Sequence, residues 1–396
     1  MAISITQNPN GVNLSQSPIV YTINESSSEL RTSSSFQYVA ELSYWTGDVT
    51  ESGSASDYTL VKFPNASGVG IFDVSRILNS TFQQPRQENS SSVQHIAIDA
   101  YAQYKNNPTG SFVTSSRVKS TVTDVIDGYN IFQESITAEP DTNNPFWPFM
   151  TDGPVSQSYF EGNHGRLSVW LGSGSQATYA IYSASSAGED QSVALPAVTR
   201  NTSGSVVTIP WFGDEDSDWP LGTGFDSYSV FLISGSENDT SSRINEPLTI
   251  YNECTKKYDN IRIKWKNRYG QFDYFNFNLV SKETFNTSRE RFQPQIGSWG
   301  SDSLTYQKYE SSIQNYITDS TLKLTVNSDY VTEDYNDIFK QFMSSDEIYW
   351  VYDEANDYVR PLALDTTNFR IKTNKVDKLI QYSFSFTQGQ GYKLIF

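Results

Sequence analysis

The sequence predicts a mainly β protein, in which two N-terminal antiparallel β-sandwiches precede a C-terminal, β-rich α+β domain. Before residue 250, short runs of alternating apolar and polar residues dominate, and clusters of Ser, Gly, Asn and Asp separate them. Apolar residues follow a convincing helical spacing in one late segment only. Because 396 residues exceed what one core usually serves, we expect domains at residues 1–139, 140–250 and 251–396.

Alternation in the first domain is clearest in Phe36–Trp45 and His95–Tyr104, whose even-numbered apolar residues share one face. Turn signals follow these segments, at Thr46–Asp48 and Asn107–Gly110. About seven strands in about 100 residues are typical of an immunoglobulin-like or fibronectin-III-like sandwich. The further strands that we predict in this domain are Ile19–Ile23, Tyr58–Phe63 and Phe112–Val122.

A proline-rich segment, Glu139–Pro154, marks the predicted boundary between the two sandwiches because it shows no alternation. It contains Phe146, Trp147 and Phe149. A proline-stiffened loop with three large aromatic side chains either plugs its own domain interface or inserts into a neighbouring protein, so these three residues are candidate interface residues. The strands predicted for the second sandwich are Arg166–Leu171, Gln176–Ser183, Ser205–Pro210, Ser227–Ser234 and Glu246–Asn252.

The C-terminal domain starts with a predicted hairpin, whose strands Ile261–Trp265 and Phe272–Phe277 flank the turn Asn267–Gly270. A helix capped by Thr332 follows later, and its apolar face consists of Tyr335, Ile338, Phe339, Phe342 and Met343. Closing strands are predicted at Glu347–Tyr352, Tyr358–Leu364, Phe369–Thr373 and Val376–Thr387.

We expect the C-terminal domain to carry an assembly surface as well as its own core. Aromatic residues are abundant in it, and most of the Lys and Arg of this acidic chain lie from Lys256 onward. Part of the apolar helix face must close the domain's core, and the remainder is available to a partner. The candidate interface residues in this domain are Trp265, Tyr335, Phe339 and Phe342.

The composition argues against nucleic acid and membranes as partners. The chain has 28 Lys and Arg against 45 Asp and Glu, and its net charge of −17 repels phosphate backbones and anionic lipid surfaces. No run approaches the ~18 apolar residues that a transmembrane helix needs, and the N-terminus lacks the pattern of a signal peptide. We therefore expect a protein that is made in the cytosol and stays soluble there.

Signatures of catalysis are missing from the sequence. The single cysteine, Cys254, and the two histidines exclude a disulfide framework and a Cys/His zinc site within the chain. The pattern Gly68-x-Gly70 has Asp73 where a dinucleotide fingerprint needs its third glycine, so we interpret it as a turn. We interpret His95 and His164 as hydrogen-bonded or solvated residues. A glycosidase needs only two facing carboxylates, and nothing in the sequence distinguishes such a pair. We expect no enzymatic activity and no bound cofactor other than the metal ion considered next.

An acidic cluster is the candidate metal site of the sequence. Asp214, Asp216 and Asp218 have the one-three-five spacing with which a loop presents oxygen atoms to Ca²⁺. Trp219 replaces the turn glycine of an EF-hand, and Phe225 replaces its bidentate glutamate. The cluster is thus either a solvated acidic turn or a calcium-binding loop outside the EF-hand frame.

The segment Cys254–Phe277 resembles a recurring feature of structural proteins from tailed bacteriophages, especially phages of the Bacteroidetes. In that feature a cysteine precedes an alternating strand, then Trp-x-Asn-Arg-x-Gly, then an aspartate among aromatic residues. The likeness extends to a Gln-Asn-Pro/Ser-Pro-Ile segment near the N-terminus and to an Asp-Gly-Tyr element at Asp127–Tyr129. The matching residues of the main segment are Trp265, Asn267, Arg268, Gly270, Asp273, Phe275 and Phe277.

The resemblance implies a tail or baseplate component of a virion that is assembled in the host bacterial cytoplasm. The C-terminal domain would then dock on other tail or baseplate proteins and self-associate, which makes a homo-oligomer our expectation. The alternatives are a receptor-binding or head-fibre protein of the virion, and a bacterial carbohydrate-binding surface protein. An elongated trimer with a solvent-facing C-terminus would favour the receptor-binding protein, and the missing signal peptide disfavours the bacterial surface protein.

Overall fold

The computed structural model describes most of the chain. The described residues are 3–31, 33–50, 57–82, 88–89, 91–107, 109–131, 139–140, 145, 147–154, 156–160, 162–172, 177–186, 189–198, 204–212, 219–222, 224–236, 240–253, 258–300, 305–353, 358–373, 380–388 and 392–395. The chain divides into two compact units. The first unit is Met1–Cys254 with Lys266–Asp273, and the second is Thr255–Trp265 with Tyr274–Phe396.

The N-terminal part of the first unit is a sandwich of two sheets. Its elements are β1 (Ile3–Gln7), β2 (Val12–Leu14), β3 (Val20–Glu25), α1 (Ser28–Arg31), β4 (Gln37–Trp45), β5 (Tyr58–Lys62), β6 (Val69–Asp73), α2 (Ser75–Asn79), β7 (Gln94–Lys105), β8 (Phe112–Thr114), β9 (Val118–Lys119) and β10 (Thr123–Ile126). One sheet has the strand order β1-β3-β6. The other has the order β2-β10-β7-β4-β5, and β8 and β9 also pair with β7. Apolar side chains of both sheets, such as Tyr21, Phe72, Leu42 and Ile98, share one buried core.

The first unit also contains a second sandwich. Its elements are β11 (Ser156–Tyr159), β12 (Gly165–Leu171), β13 (Thr178–Ser186), β14 (Glu189–Val198), β15 (Ser205–Phe212), β16 (Ser227–Ser234), a 3-10 turn at Thr240–Ser242 and β17 (Leu248–Asn252). One sheet has the order β11-β17-β16-β13-β14, and β12 pairs with β15 in the other. Their shared core contains Tyr182, Val230, Leu167 and Ile209.

The second unit is one large sheet with a helix on one face. Its elements are β18 (Ile261–Lys266), β19 (Phe272–Phe277), β20 (Lys282–Phe292), β21 (Gln314–Asn327), α3 (Tyr335–Ser344), β22 (Ile348–Asp353), β23 (Tyr358–Leu364), β24 (Ser383–Gln388) and β25 (Tyr392–Ile395). The strand order is β19-β18-β22-β23-β24-β21-β20, and β25 also pairs with β21. The ends of β18 and β19 and the turn between them belong to the first unit.

The apolar face of α3 lies on this sheet, as its spacing predicts. The centre of the Trp265 ring lies 5.1 Å from the centre of the Phe342 ring. The centre of the Phe384 ring lies 4.9 Å from that of Phe342 and 5.3 Å from that of Phe339. The helix begins two residues later than a cap at Thr332 implies. Asp334 precedes the helix, and Thr332 Oγ1 instead donates a hydrogen bond to Asp334 Oδ2 at 3.4 Å.

The mainly β prediction is confirmed, and most of the strands with clear alternation lie within a few residues of their predicted bounds. The prediction of one strand at Phe112–Val122 is wrong, because the chain forms two short strands there, β8 and β9, with residues 115–117 between them. The hydroxyls of Ser115 and Ser120 accept hydrogen bonds from the backbone of β7 where a continuous strand would use carbonyl groups.

The prediction of a strand at Phe369–Thr373 is also wrong. The Tyr382 hydroxyl accepts a hydrogen bond from Lys372 N, and the Asn336 side chain donates one to Lys372 O, so side chains replace a neighbouring strand. Of the predicted strand Val376–Thr387, the part from Ser383 is in β24, and residues 374–379 lie outside the described residues.

The helix face gives a stability prediction. Phe342→Ala removes a fully buried ring from the core of the second unit, so the free energy of unfolding should fall by about 3–5 kcal/mol. Equilibrium unfolding in urea, followed by tryptophan fluorescence, measures this change. Tyr330→Ala is the control, because Tyr330 is 56% exposed and its loss should change stability by about 0.5 kcal/mol or less. Equal effects of the two substitutions would contradict the burial of the helix face.

Candidate functional site

Four of the residues that carry the phage resemblance, Asn267, Arg268, Gly270 and Asp273, come together in the first unit. Its segments Ser15–Ser17, Asp127–Tyr129, Met150–Asp152 and Lys266–Asp273 meet through hydrogen bonds and ion pairs. We call these four segments the polar junction. They are distant in sequence, and most of their side chains are buried.

Asn267 organises the turn between β18 and β19. Its Oδ1 accepts hydrogen bonds from the backbone N–H groups of Tyr269 and Gln271, both at 3.0 Å. Its Nδ2 donates to the Met150 carbonyl at 2.9 Å and to Asp273 Oδ2 at 3.0 Å. The position needs an acceptor and a two-fold donor on a short side chain, which is the chemistry of asparagine.

Two glycines allow the backbone of this turn to approach the Asp127–Tyr129 segment. Gly270 has a φ of +68°, and a Cβ there would lie 2.7 Å from Asp127 O. Gly128 has a φ of +139°, and a Cβ there would lie 2.2 Å from Arg268 O. The Tyr129 N–H donates to Arg268 O at 2.7 Å. Neither glycine can therefore accept a side chain unless the two backbones separate.

The first buried ion pair of the polar junction joins Lys266 to Asp127. Lys266 Nζ lies 3.6 Å from Asp127 Oδ2, and the two side chains are 3% and 2% exposed. Ser15 Oγ and Gln16 Nε2 each donate to Asp127 Oδ1 at 3.2 Å. A buried carboxylate is tolerated when it is both paired and hydrogen-bonded, and Asp127 meets both conditions.

The second buried ion pair joins Arg268 to Asp152. Arg268 Nη2 donates to Asp152 Oδ1 at 2.8 Å, and Nε lies in ion-pair contact with the other oxygen of the same carboxylate. The Tyr269 hydroxyl donates to Asp152 Oδ1 at 3.3 Å, and the guanidinium carbon lies 5.0 Å from the Tyr269 ring centre. Arginine is required for this fork geometry, because a lysine offers only a point charge.

The third carboxyl of the polar junction, Asp273, has no ion pair among the described residues. It accepts hydrogen bonds from Thr151 Oγ1 at 2.7 Å and from Asn267 Nδ2 at 3.0 Å. Burial raises the pKa of Asp273 to about 7, and the nearby Asp152 carboxylate acts in the same direction. The folded protein therefore keeps this carboxyl neutral at mildly acidic pH.

An apolar cluster shares Met150 and Tyr269 with the polar junction and joins the two sandwiches. The Trp147 ring packs against it, 6.0 Å from the Tyr269 ring. The cluster's other members come from both sandwiches: Val12, Leu14, Val93, Ile126, Trp170 and Val206. Ser168 Oγ of the second sandwich also donates to Gln271 Oε1 at 2.9 Å. The turn between β18 and β19 thus contacts both sandwiches, through apolar packing and through hydrogen bonds.

The polar junction has a structural role, because it holds four distant segments of the first unit together. A carboxyl with a raised pKa is a candidate general base in some enzymes. Here, however, the oxygens of Asp273 accept hydrogen bonds from Thr151 and Asn267, and the residue is 7% exposed. The charged groups of Lys266 and Arg268 are likewise paired inside the protein.

Four predicted interface residues fill the protein's own cores, and for Phe149 the prediction left contacts within its own domain open. Phe149 is fully buried in the second sandwich, and Trp265, Phe339 and Phe342 are buried in the second unit. Their side chains leave no surface at which a partner could contact them, so we revise their assignment to core residues. Aromatic residues at alternating or helical spacing serve cores and interfaces equally well, and the sequence cannot separate these roles.

The remaining predicted site residues have other positions. Trp147 and Tyr335 are partly buried against apolar clusters, and Phe146 lies outside the described residues. The proposed calcium ligands, Asp214, Asp216 and Asp218, also lie outside the described residues, so that site stays a prediction. In the part of the chain that is described, no group of three or more His, Cys, Asp or Glu is placed to hold a metal ion.

His95 and Asp73, which were examined as possible catalytic or nucleotide-binding residues, both make hydrogen bonds within the fold. His95 is 1% exposed, with Nδ1 2.7 Å from Asp124 Oδ1 and Nε2 3.0 Å from Gly47 O. Asp73 Oδ1 accepts hydrogen bonds from the backbone N–H groups of Ile19 and Ser75, at 3.2 and 3.0 Å. Both residues therefore have structural partners, and for His95 this is one of the two roles that the sequence predicts.

An exposed aromatic surface on the β20–β21 hairpin is a feature that the sequence interpretation missed. Large apolar side chains at 39–83% exposure occur from the end of β20 to the start of β21: Phe292, Trp299, Tyr306, Tyr309, Ile313 and Tyr316. We call these six residues the aromatic arm. Its signal in the sequence is the presence of large aromatic residues among polar ones with neither a two-residue nor a helical period.

No protein-family model matches the chain, and no curated protein matches it. Among the described residues, no helix is long and apolar enough to cross a membrane.

The close backbone approach predicts a strong effect at Gly128. Gly128→Ala should lower the free energy of unfolding by about 4 kcal/mol, since the new Cβ would lie 2.2 Å from Arg268 O in addition to the unfavourable φ. Gly235→Ala is the matched control. Gly235 also has a positive φ, +102°, but nothing lies within 4 Å of its Cβ, so the cost should be about 1–2 kcal/mol. Urea unfolding of both variants tests the difference, and equal losses would argue against a tight junction.

The raised pKa of Asp273 predicts a pH-dependent stability. In the unfolded chain this carboxyl releases its proton near its ordinary value of 3.8, whereas the folded protein retains the proton up to about pH 7. The folded state therefore binds more protons between about pH 4 and pH 7, and its stability should decrease by a few kcal/mol as pH rises through that window. Asp273→Asn should remove this component. The measurement is the difference in unfolding free energy between wild type and variant at several pH values, and a constant difference would contradict the assignment.

Proposed function

We propose that this chain is a non-enzymatic structural protein of a tailed-bacteriophage virion, a tail or baseplate component that works by binding other virion proteins. The observation that carries the proposal is the aromatic arm. Folded proteins that act alone rarely expose several large apolar side chains in one region, and such surfaces usually mark contacts with other proteins.

The side chains of the aromatic arm suit protein recognition. Tyr309 is 83% exposed, Trp299 is 64% exposed and Tyr306 is 58% exposed. Tyrosine and tryptophan combine a large apolar area with a polar group and few rotatable bonds, and they dominate the binding energy of many interfaces. The β20–β21 hairpin thus presents residues of the type that a partner would bury.

Contacts within the hairpin hold the aromatic arm in place before any partner binds. The Phe292 and Tyr316 rings meet edge to face with centres 6.2 Å apart, and the Tyr316 hydroxyl donates to the Glu290 carboxylate. Trp299 Nε1 donates to the Ile296 carbonyl at 3.0 Å. A preorganised surface loses less conformational entropy on binding, which favours assembly.

The phage resemblance supports the tail or baseplate part of the proposal. Its residues Asn267, Arg268, Gly270 and Asp273, together with Asp127–Tyr129, form one physical arrangement, the polar junction. The polar part of the resemblance therefore rests on a set of residues that contact one another in this fold. A fastening that joins two sandwiches suits a component that must keep its shape inside a larger particle.

The test is whether the chain enters particles through the aromatic arm. Particles banded in a density gradient from the culture that carries the gene should contain the chain at a fixed ratio to the other structural proteins. The double variant Trp299→Ser and Tyr309→Ser should fold normally and reduce incorporation at least tenfold. Tyr352→Ser is the control, because Tyr352 is 54% exposed but lies on β22, outside the aromatic arm.

Two results would overturn the proposal. One is absence of the chain from purified particles. The other is turnover of peptidoglycan or a capsular polysaccharide by the purified protein, with the activity lost on substitution of a single Asp or Glu. Incorporation that is unaffected by the aromatic-arm variant would leave a virion protein but reject the arm as its contact surface.

A further inference from the structure

We propose that the chain forms a homodimer through β20, which pairs antiparallel with β20 of a second copy across a twofold axis. Asn286 lies opposite the partner's Asn286 in this pairing, so that the two large sheets become one. The inference goes beyond the proposed function and does not depend on it.

The starting observation is a long sheet edge. β20 ends the strand order of its sheet, and on its outer side no strand among the described residues pairs with it. It has 11 residues, and all except the partly buried Thr287 are exposed. The outward backbone groups of an edge strand can pair with another strand, and main-chain hydrogen bonds then supply affinity.

Most devices that protect edge strands are missing from β20. The strand contains neither proline nor glycine, and its one irregularity, between Glu290 and Arg291, lies near its end. Proteins also protect edges with charges of one sign, which repel a second copy. β20 carries both signs, with Lys282 and Glu283 near one end and Arg289, Glu290 and Arg291 near the other.

The order of these charges makes β20 complementary to itself. Each end has a cation followed by an anion, Lys282–Glu283 and Arg289–Glu290. In the proposed register Lys282 faces the partner's Glu290, and Glu283 faces the partner's Arg289. The twofold axis generates a second copy of each pair, so all four of these charge pairs between the two strands are attractive. Beyond them Val280 faces the partner's Phe292, and these side chains are 42% and 45% exposed.

The same charges favour this register over its neighbours. A register must keep the outward N–H and C=O groups of both copies opposite each other, so the nearest alternatives are shifted by two residues. One alternative retains only Glu283 opposite the partner's Arg291, and the other has no pair of opposite charges. Lys282, Glu283 and Arg289 form no ion pair within the described part of the chain, so their charges are available to a second copy.

A charge exchange tests the pairing in the full-length protein. Sedimentation velocity over a range of concentrations should show a monomer–dimer equilibrium. Glu283→Arg and Arg289→Glu should each weaken the dimer at least tenfold, because each creates like-charge pairs. The double variant should restore dimerisation to within about threefold of wild type, because it exchanges the partners of each pair. Arg291→Glu is the control for net charge: Arg291 faces the partner's Ser281, so its reversal should have little effect.

Disulfide trapping tests the register independently. In a variant with Cys254→Ser, Asn286→Cys should form a cross-linked dimer on mild oxidation, since residues directly opposite in antiparallel strands have Cα atoms roughly 4.5–5.5 Å apart. Thr284→Cys should not, because it faces the partner's Ser288 and not itself. The inference is overturned if the protein is monomeric at all concentrations, if the double variant stays as weak as the single ones, or if Thr284→Cys cross-links as readily as Asn286→Cys.

Discussion

The first unit depends on one backbone contact, the approach of Gly128 to the turn that contains Gly270. Once the two backbones lie this close, most of the polar groups around them are buried. Each charge must then find a partner inside the protein, and Lys266 and Arg268 find theirs in Asp127 and Asp152. Buried ion pairs add little net stability compared with apolar groups, but losing one partner is costly. The ion pairs therefore specify this arrangement more than they stabilise it.

Different kinds of contact hold distant segments of the chain together in the two units. The core of the second unit is a cluster of aromatic rings around α3, in which many weak and non-directional contacts add up. The polar junction instead uses a few directional contacts with fixed partners. An aromatic core tolerates volume-conserving exchanges, whereas Asn267 and Arg268 each match a specific set of donors and acceptors.

Alternation and helical spacing predicted much of the fold because they report burial on one face. This logic holds for β4, β7 and α3, whose apolar faces pack on cores. It failed for β20, whose side chains are almost all exposed and therefore show no apolar face. The polar junction was visible only as the residues of a resemblance. Which carboxylate pairs with Lys266 depends on contacts between residues far apart in the chain, and local pattern holds no information about them.

The position of the turn in the chain has a consequence for synthesis. Arg268 follows its partner Asp152 by 116 residues, although both belong to the first unit. A ribosome adds about 5–20 residues per second, so roughly 6–23 seconds pass before the guanidinium follows the carboxylate out of the exit tunnel. During that interval the nascent sandwiches hold Asp127 and Asp152 without their cations. The first unit therefore completes its folding only after translation has entered the second, and the two units cannot mature strictly in the order in which they are encoded.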